Sequence, residues 1–191
     1  MSDPSTEEGR KKGVFTVHSS IIIEAPRSTV WGVLLDFASY KEWNPFVRSQ
    51  IAYDHSKTPL VHTQSLAVGH TLRMDVHIPP TMDDKVSSQH SDEIVTVVDH
   101  EACRIGWRYQ PPALLSYGLH CERIQALSEL EDGRTHYETW ETFGGPVAYV
   151  LRATMEKDLR KSFDAMAAGL KVRSENSEPR ETPEEGDSRR T

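Results

Sequence analysis

The chain has 191 residues, 37% hydrophobic and 27% charged, with a formal net charge of −7. That length supplies one domain with a sizeable core. The acidic balance lacks the clustered basic face that a nucleic-acid partner requires. The segment Ser174–Thr191 holds six acidic residues against three arginines and so carries −3 of the −7; the bland reading of the rest is solubility.

Residues 1–12 are polar and mixed in charge, and residues 173–191 are rich in Glu, Pro, Ser and Arg. Both read as disordered tails around one domain spanning 13–172. No stretch approaches the roughly 18 apolar residues of a membrane span. The N-terminus lacks the apolar core of a secretion signal, so a cytoplasmic protein is expected. Two cysteines, Cys103 and Cys121, fall in strand-like segments. They read as buried free thiols, with a single disulfide as the alternative.

In chain order, the first strand runs from Val14 to Glu24. Ala25-Pro26 then opens a helix, with proline at a first helical position where its missing N–H costs nothing. Val30, Trp31, Leu34 and Leu35 give that helix an apolar stripe. Phe37, Tyr40 and Trp43 continue into a second short helix, which Asn44-Pro45 ends. Val68, Leu72, Met74, Val76 and Ile78 share one strand parity, with Thr71, Arg73, Asp75 and His77 on the other. Ile94–Val98 is the next strand. Cys103, Ile105, Trp107 and Tyr109 line one face of the one after it, opposite Arg104 and Arg108. Tyr117–Leu130 and Thr135–Phe143 flank Glu131-Asp132-Gly133-Arg134, whose Asp-Gly predicts a hairpin.

Gly144-Gly145-Pro146 leads into a long helix reaching about Leu170. In it Ala148, Leu151, Met155, Leu159, Phe163, Met166 and Leu170 recur at spacings of three or four. Strands with segregated helices make an α+β fold. One amphipathic helix cannot cover both sides of such a sheet. The sheet must curl around it, and the concave space between them can hold a cavity.

Ile23-Glu24-Ala25-Pro26 through Val30-Trp31, then Leu35-Asp36-Phe37, Tyr40 and Trp43-Asn44-Pro45-Phe46, resembles the opening of the START/Bet v 1-like superfamily. The likeness is to its polyketide cyclase/dehydrase-like branch, SRPBCC. Val68-Gly69, Ile78-Pro79-Pro80, Ile105-Gly106-Trp107, His120 and Glu141-Thr142-Phe143-Gly144 follow in the same order, so the resemblance covers about Val14 to Leu170. It implies a helix-grip fold: a curved antiparallel sheet of about seven strands around the C-terminal helix, with two short helices after strand one. It also implies a hydrophobic small-molecule ligand, polyketide-like or lipid-like. Two residues after the histidine the family pattern has a bulky apolar residue; here that position is Glu122.

The pocket-lining candidates are Met74, Trp107, Tyr109, Tyr137 and Phe143 from the sheet, with Met155, Leu159 and Phe163 from the helix. The helix stripe serves as core or as pocket wall. The candidates for chemistry are His120, Glu122 and Glu141. Glu141 is either a hydrogen-bonded structural carboxylate or a base with a raised pKa. His120 suits proton transfer near neutral pH or is a satisfied core histidine. If His120, Glu122 and Ile124 face inward together, the site has three ionisable groups. Leu119, Cys121 and Leu127 make the competing inward face, and a one-residue slip puts Glu122 in water.

No metal ligand pattern, phosphate loop, nucleophile elbow or redox-cofactor motif is present, so no cofactor is expected. Two functions fit: a cofactor-independent cyclase, dehydratase or isomerase of secondary metabolism, and a non-catalytic carrier or sensor of the same kind of ligand.

Overall fold

The structure is a computed structural model that describes residues 13–112 and 117–177. The expected tail at 1–12 and most of that at 173–191 lie outside the described residues. The strands are β1 (Phe15–Ile23), β2 (Val47–Tyr53), β3 (Thr71–Val76), β4 (Gln89–Asp99), β5 (Arg104–Tyr109), β6 (His120–Glu129) and β7 (Thr135–Gly144). The helices are α1 (Arg27–Leu35), α2 (Tyr40–Trp43) and α3 (Pro146–Glu175). The strands form one curved sheet in the order β1-β7-β6-β5-β4-β3-β2, antiparallel at every step. The expected α+β arrangement is therefore what the chain adopts.

Local chemistry explains the junctions. Pro26 is the residue before α1 rather than its first member, with an extended ψ of 146°. Asn44 ends α2 by accepting hydrogen bonds at Oδ1 from the backbone N–H of Phe46 and Val47, at 3.0 and 2.9 Å. That local turn competes with helical continuation and launches β2. The hairpin turns at Gly133, with φ +81°, while Asp132 accepts the Arg134 N–H. At the β7–α3 corner Gly145 has φ +89°, and a Cβ there would meet the Gly118 carbonyl oxygen at 2.5 Å. Glycine is the residue for that corner on both counts.

The structure corrects several expected boundaries. β2 was not singled out in the sequence, because Arg48 and Gln50 interrupt its apolar pattern although both are buried. β4 begins at Gln89, five residues before Ile94. Tyr117 precedes β6 and is exposed, and Val68 lies ahead of β3 on the surface. α3 runs on to Glu175, past its expected end near Leu170. Its last turns are tied to β1: Lys171 Nζ donates to the Ile22 carbonyl at 2.8 Å, and the Glu24 N–H donates to Glu175 Oε1 at 2.7 Å.

The apolar stripe of α3 does both jobs assigned to it. Phe163, Met166, Ala167 and Leu170 are buried in the core. Leu151 and Met155, nearer the N-terminus, are only half-buried and border a cavity. Cys103 and Cys121 are both buried free thiols.

Candidate functional site

The site is set by which side of β6 faces the helix. Leu119, Cys121, Arg123, Gln125 and Leu127 are buried, whereas His120 is exposed and Glu122 half-buried. The expectation that His120, Glu122 and Ile124 point inward is overturned. Burying Leu119, Cys121 and Leu127 removes apolar surface from water at about 25 cal/mol per Å², and the alternation of the strand then fixes the rest. His120 and Glu122 line a separate groove on the convex face with Arg108 and Thr142. Ile124 is buried there beside its register partner Trp140.

The same alternation brings Arg123 inside. It is opposite Glu141 on β7 and Trp107 on β5, and Glu93 of β4 is opposite Tyr109 of β5. These side chains border a cavity of about 210 Å³ between the sheet and α3. Its walls are apolar: Phe46, Val47, Met74, Val76, Trp107, Leu119, Phe143, Leu151, Met155 and Leu159. Gln89, His90, Ser91, Glu93, Tyr109, Arg123 and Glu141 supply the polar part.

Of the sequence-predicted residues, Met74, Trp107, Tyr109, Phe143, Met155, Leu159 and Glu141 border this cavity. Tyr137 and Phe163 do not. Tyr137 is fully buried and donates its hydroxyl to Gln125 Oε1 at 2.6 Å. Phe163 is fully buried with its ring centroid 4.2 Å from the Arg123 guanidinium carbon.

Arg123 is 3% exposed. Its Nε donates to Thr139 Oγ1 at 3.2 Å, and one Nη donates to Met166 Sδ at 3.3 Å. The rings of Phe163, Phe46 and Trp107 lie 4.2, 5.2 and 6.0 Å from its charged carbon. Among the described residues the charge is met by ring faces, a hydroxyl and a sulfur rather than by a carboxylate at ion-pair distance. Cation–π contact of this kind replaces part of the lost hydration.

Both cavity carboxyls are pushed up. Burial raises Glu93 to about 8, the neighbouring Glu141 charge adds to this, and the Ser91 hydroxyl (2.6 Å) and Arg123 oppose it. Burial raises Glu141 to about 7, with Arg123 pulling down. At neutral pH Glu93 therefore holds its proton while Glu141 is partly ionised. Burial also raises the Tyr109 hydroxyl, with Glu93 adding to it. Burial and the two carboxylates raise the Cys121 thiol, so it is no nucleophile at neutral pH.

The sequence reading missed Arg123 and Glu93. A charged residue reads as solvent-facing, and Glu93 fell outside the expected strand. The available signals were the apolar alternation of Leu119, Cys121 and Leu127, and the two-residue step from Glu93 to Val95.

Comparison with known proteins follows the fold. A curated protein of Penicillium oxalicum, oxopyrrolidines biosynthesis cluster protein O, is 29% identical over 167 residues, covering 80% of this chain and 82% of that protein. A hypothetical protein from Helicobacter pylori has a similar structure, with a TM-score of 0.65 at 16% identity over 85% of this chain and 89% of that one. The Zhui aromatase/cyclase of Streptomyces sp. R1128 follows, with a TM-score of 0.56 at 15% identity over 83% and 94%. At such identities the two structures speak for the fold alone. The family model described as polyketide cyclase/dehydrase and lipid transport matches residues 14–175, and the chain belongs to that family.

Proposed function

We propose that the central cavity binds a small hydrophobic carbonyl compound and catalyses proton transfer on it without a cofactor, as a cyclisation, dehydration or isomerisation requires. The observation that carries this reading is the pairing of two carboxyls of raised pKa with a buried guanidinium in one apolar cavity. Glu141 is the base that takes a proton from carbon next to the carbonyl. Protonated Glu93 is the acid that gives one to the carbonyl oxygen or to a departing hydroxyl. Arg123 holds the negative charge that develops on oxygen, in a site where water does not screen it. In a dehydration, Glu141 gains the carbon-bound proton, Glu93 loses its own to the leaving hydroxyl, water departs, and a proton passes from Glu141 to Glu93 to restore both.

The volume limits the substrate. About 210 Å³ lies below the roughly 300–1,000 Å³ of sites for drug-sized ligands. One or two rings fit it better than a multi-ring polyketide. The relative in a biosynthesis cluster supports a place in small-molecule metabolism.

The test uses α-tetralone, a two-ring ketone, with hydrogen–deuterium exchange at its α-carbon followed by NMR in D₂O. The protein is expected to accelerate exchange, and Glu141→Gln to lose about 10²–10⁴-fold of that acceleration. Binding of α-tetralone with no acceleration, and recovery of the ketone unexchanged, supports the carrier reading instead.

A further inference from the structure

We propose that Ser91 is the positioning residue for the acid of the central cavity: its hydroxyl holds Oε1 of Glu93, so that the proton of the neutral carboxyl sits on Oε2 and is offered to the ligand. The role rests on Glu93 being the acid of the proposed function.

Successive side chains of a strand point to opposite faces, so Ser91 and Glu93 of β4 share the inward one. Their register partners on β3 are Met74 and Leu72, both buried. Ser91 Oγ donates to Glu93 Oε1 at 2.6 Å, short for an O–H···O bond. It is the carboxyl's one side-chain hydrogen bond among the described residues. A hydroxyl has a single hydrogen to give. With that hydrogen on Oε1, Oε1 is the carbonyl oxygen of the neutral acid, and Oε2 carries the proton. Oε2 has no protein partner among the described residues, and Glu93 borders the cavity.

The same bond serves the acid once its proton has gone. A hydrogen bond to a carboxylate is shorter and stronger than one to a neutral carboxyl. Ser91 therefore favours the ionised form and offsets part of the cost of burial. The other groups around Glu93 do not select an oxygen. Asp92 on the same strand and Glu141 on β7 oppose ionisation by their charge, and Arg123 on β6 favours it through space. Tyr109 on β5 and Cys121 on β6 are neutral at neutral pH. His90 at the exposed rim is paired with Asp75. Leu72 of β3 and the α3 residues Leu151, Met155 and Leu159 carry no charge.

The experiment follows the side-chain carboxyls of the full ¹³C-labelled chain by NMR as pH is raised. In Ser91→Ala the upper of the two cavity steps is expected to move up from about 8 by about one pH unit, a tenfold loss of acidity. The lower step stays in place, and Ser91→Thr, which keeps the hydroxyl, restores the upper one. Infrared difference spectra in the Glu141→Gln background at neutral pH locate the proton. Loss of a hydrogen bond to the carbonyl oxygen Oε1 raises the C=O stretch of protonated Glu93 in Ser91→Ala. In α-tetralone exchange, kcat of Ser91→Ala is expected to fall about two- to tenfold with KM unchanged. An upper step still at about 8, an unmoved stretch, or a Ser91→Thr chain that behaves like Ser91→Ala would overturn the proposal. A parent chain that exchanges no α-tetralone overturns the proposed function instead; the titration and the stretch need no substrate and still decide on Ser91.

Discussion

At the scale of single residues, charge in this site is controlled by burial. Glu93 and Glu141 are moved from the ordinary 4.5 to about 8 and about 7 by loss of water, and Arg123 restrains both shifts. A mechanism that needs ionised Glu141 with protonated Glu93 has a narrow pH optimum. Its rate rises through about 7 as Glu141 loses its proton and falls through about 8 as Glu93 does. The two limbs belong to the pair as a unit. Arg123→Met removes the charge that pulls Glu141 down, so the lower limb of the pH–rate profile should move upward. An unchanged lower limb would show that Arg123 does not sense Glu141. Glu93→Gln keeps the size and removes the acid; it should abolish the upper limb and slow turnover.

At the scale of elements, α3 and α2 are held by a close approach that propensity does not foresee. A Cβ at Gly169 would stand 2.5 Å from the Trp43 carbonyl oxygen and 3.2 Å from the Trp43 ring. Alanine normally improves a helix interior by about 1 kcal/mol. Here Gly169→Ala should instead destabilise by about 1–3 kcal/mol, because α3 must back away from α2; thermal melts give the sign directly. Phe163→Ala should cost about 3–5 kcal/mol. It also strips the nearest ring from Arg123, so urea unfolding would show a larger loss than for the half-buried Leu151→Ala.

The long helix and the hairpin were legible because their signals are local: spacings of three and four, and Asp-Gly between strand-like runs. β2 was not, because two polar residues, Arg48 and Gln50, are buried in it, and the burial of Arg48 answers to tertiary partners. Arg48 donates to the Lys41 carbonyl at 2.6 Å and pairs with Asp84 at 3.0 Å. Glu141 was legible as a cavity residue from its strand neighbours. Arg123 was not, since three aromatic rings from β5, α3 and the segment before β2 make its burial tolerable, and no spacing along β6 reveals them.

At the scale of the whole molecule, the raised carboxyls link stability to pH. The native state binds more protons than the unfolded chain between about 4.5, the ordinary carboxyl value, and about 8. Stability contributed by the neutral carboxyls is fully present below about 4.5 and is lost as pH climbs to about 8. The thermal midpoint should therefore fall across that window, after allowance for other groups. The double variant Glu93→Gln with Glu141→Gln should flatten the slope and melt higher than the parent at pH 8. A parent and double variant with parallel pH profiles would contradict the burial of these charges.

The alternation along β6 has a further consequence for how such a protein diversifies. Leu119, Cys121 and Arg123 border the cavity and Gln125 and Leu127 are buried beyond it, while His120 and Glu122 between them line the outer groove. Two independent texts are interleaved on one backbone. Selection can rewrite the outer one, changing solubility or encounter partners, without altering a single wall of the cavity. It can equally exchange Arg123, which borders the cavity and not the outer groove, for a new ligand while the outer surface stays as it was.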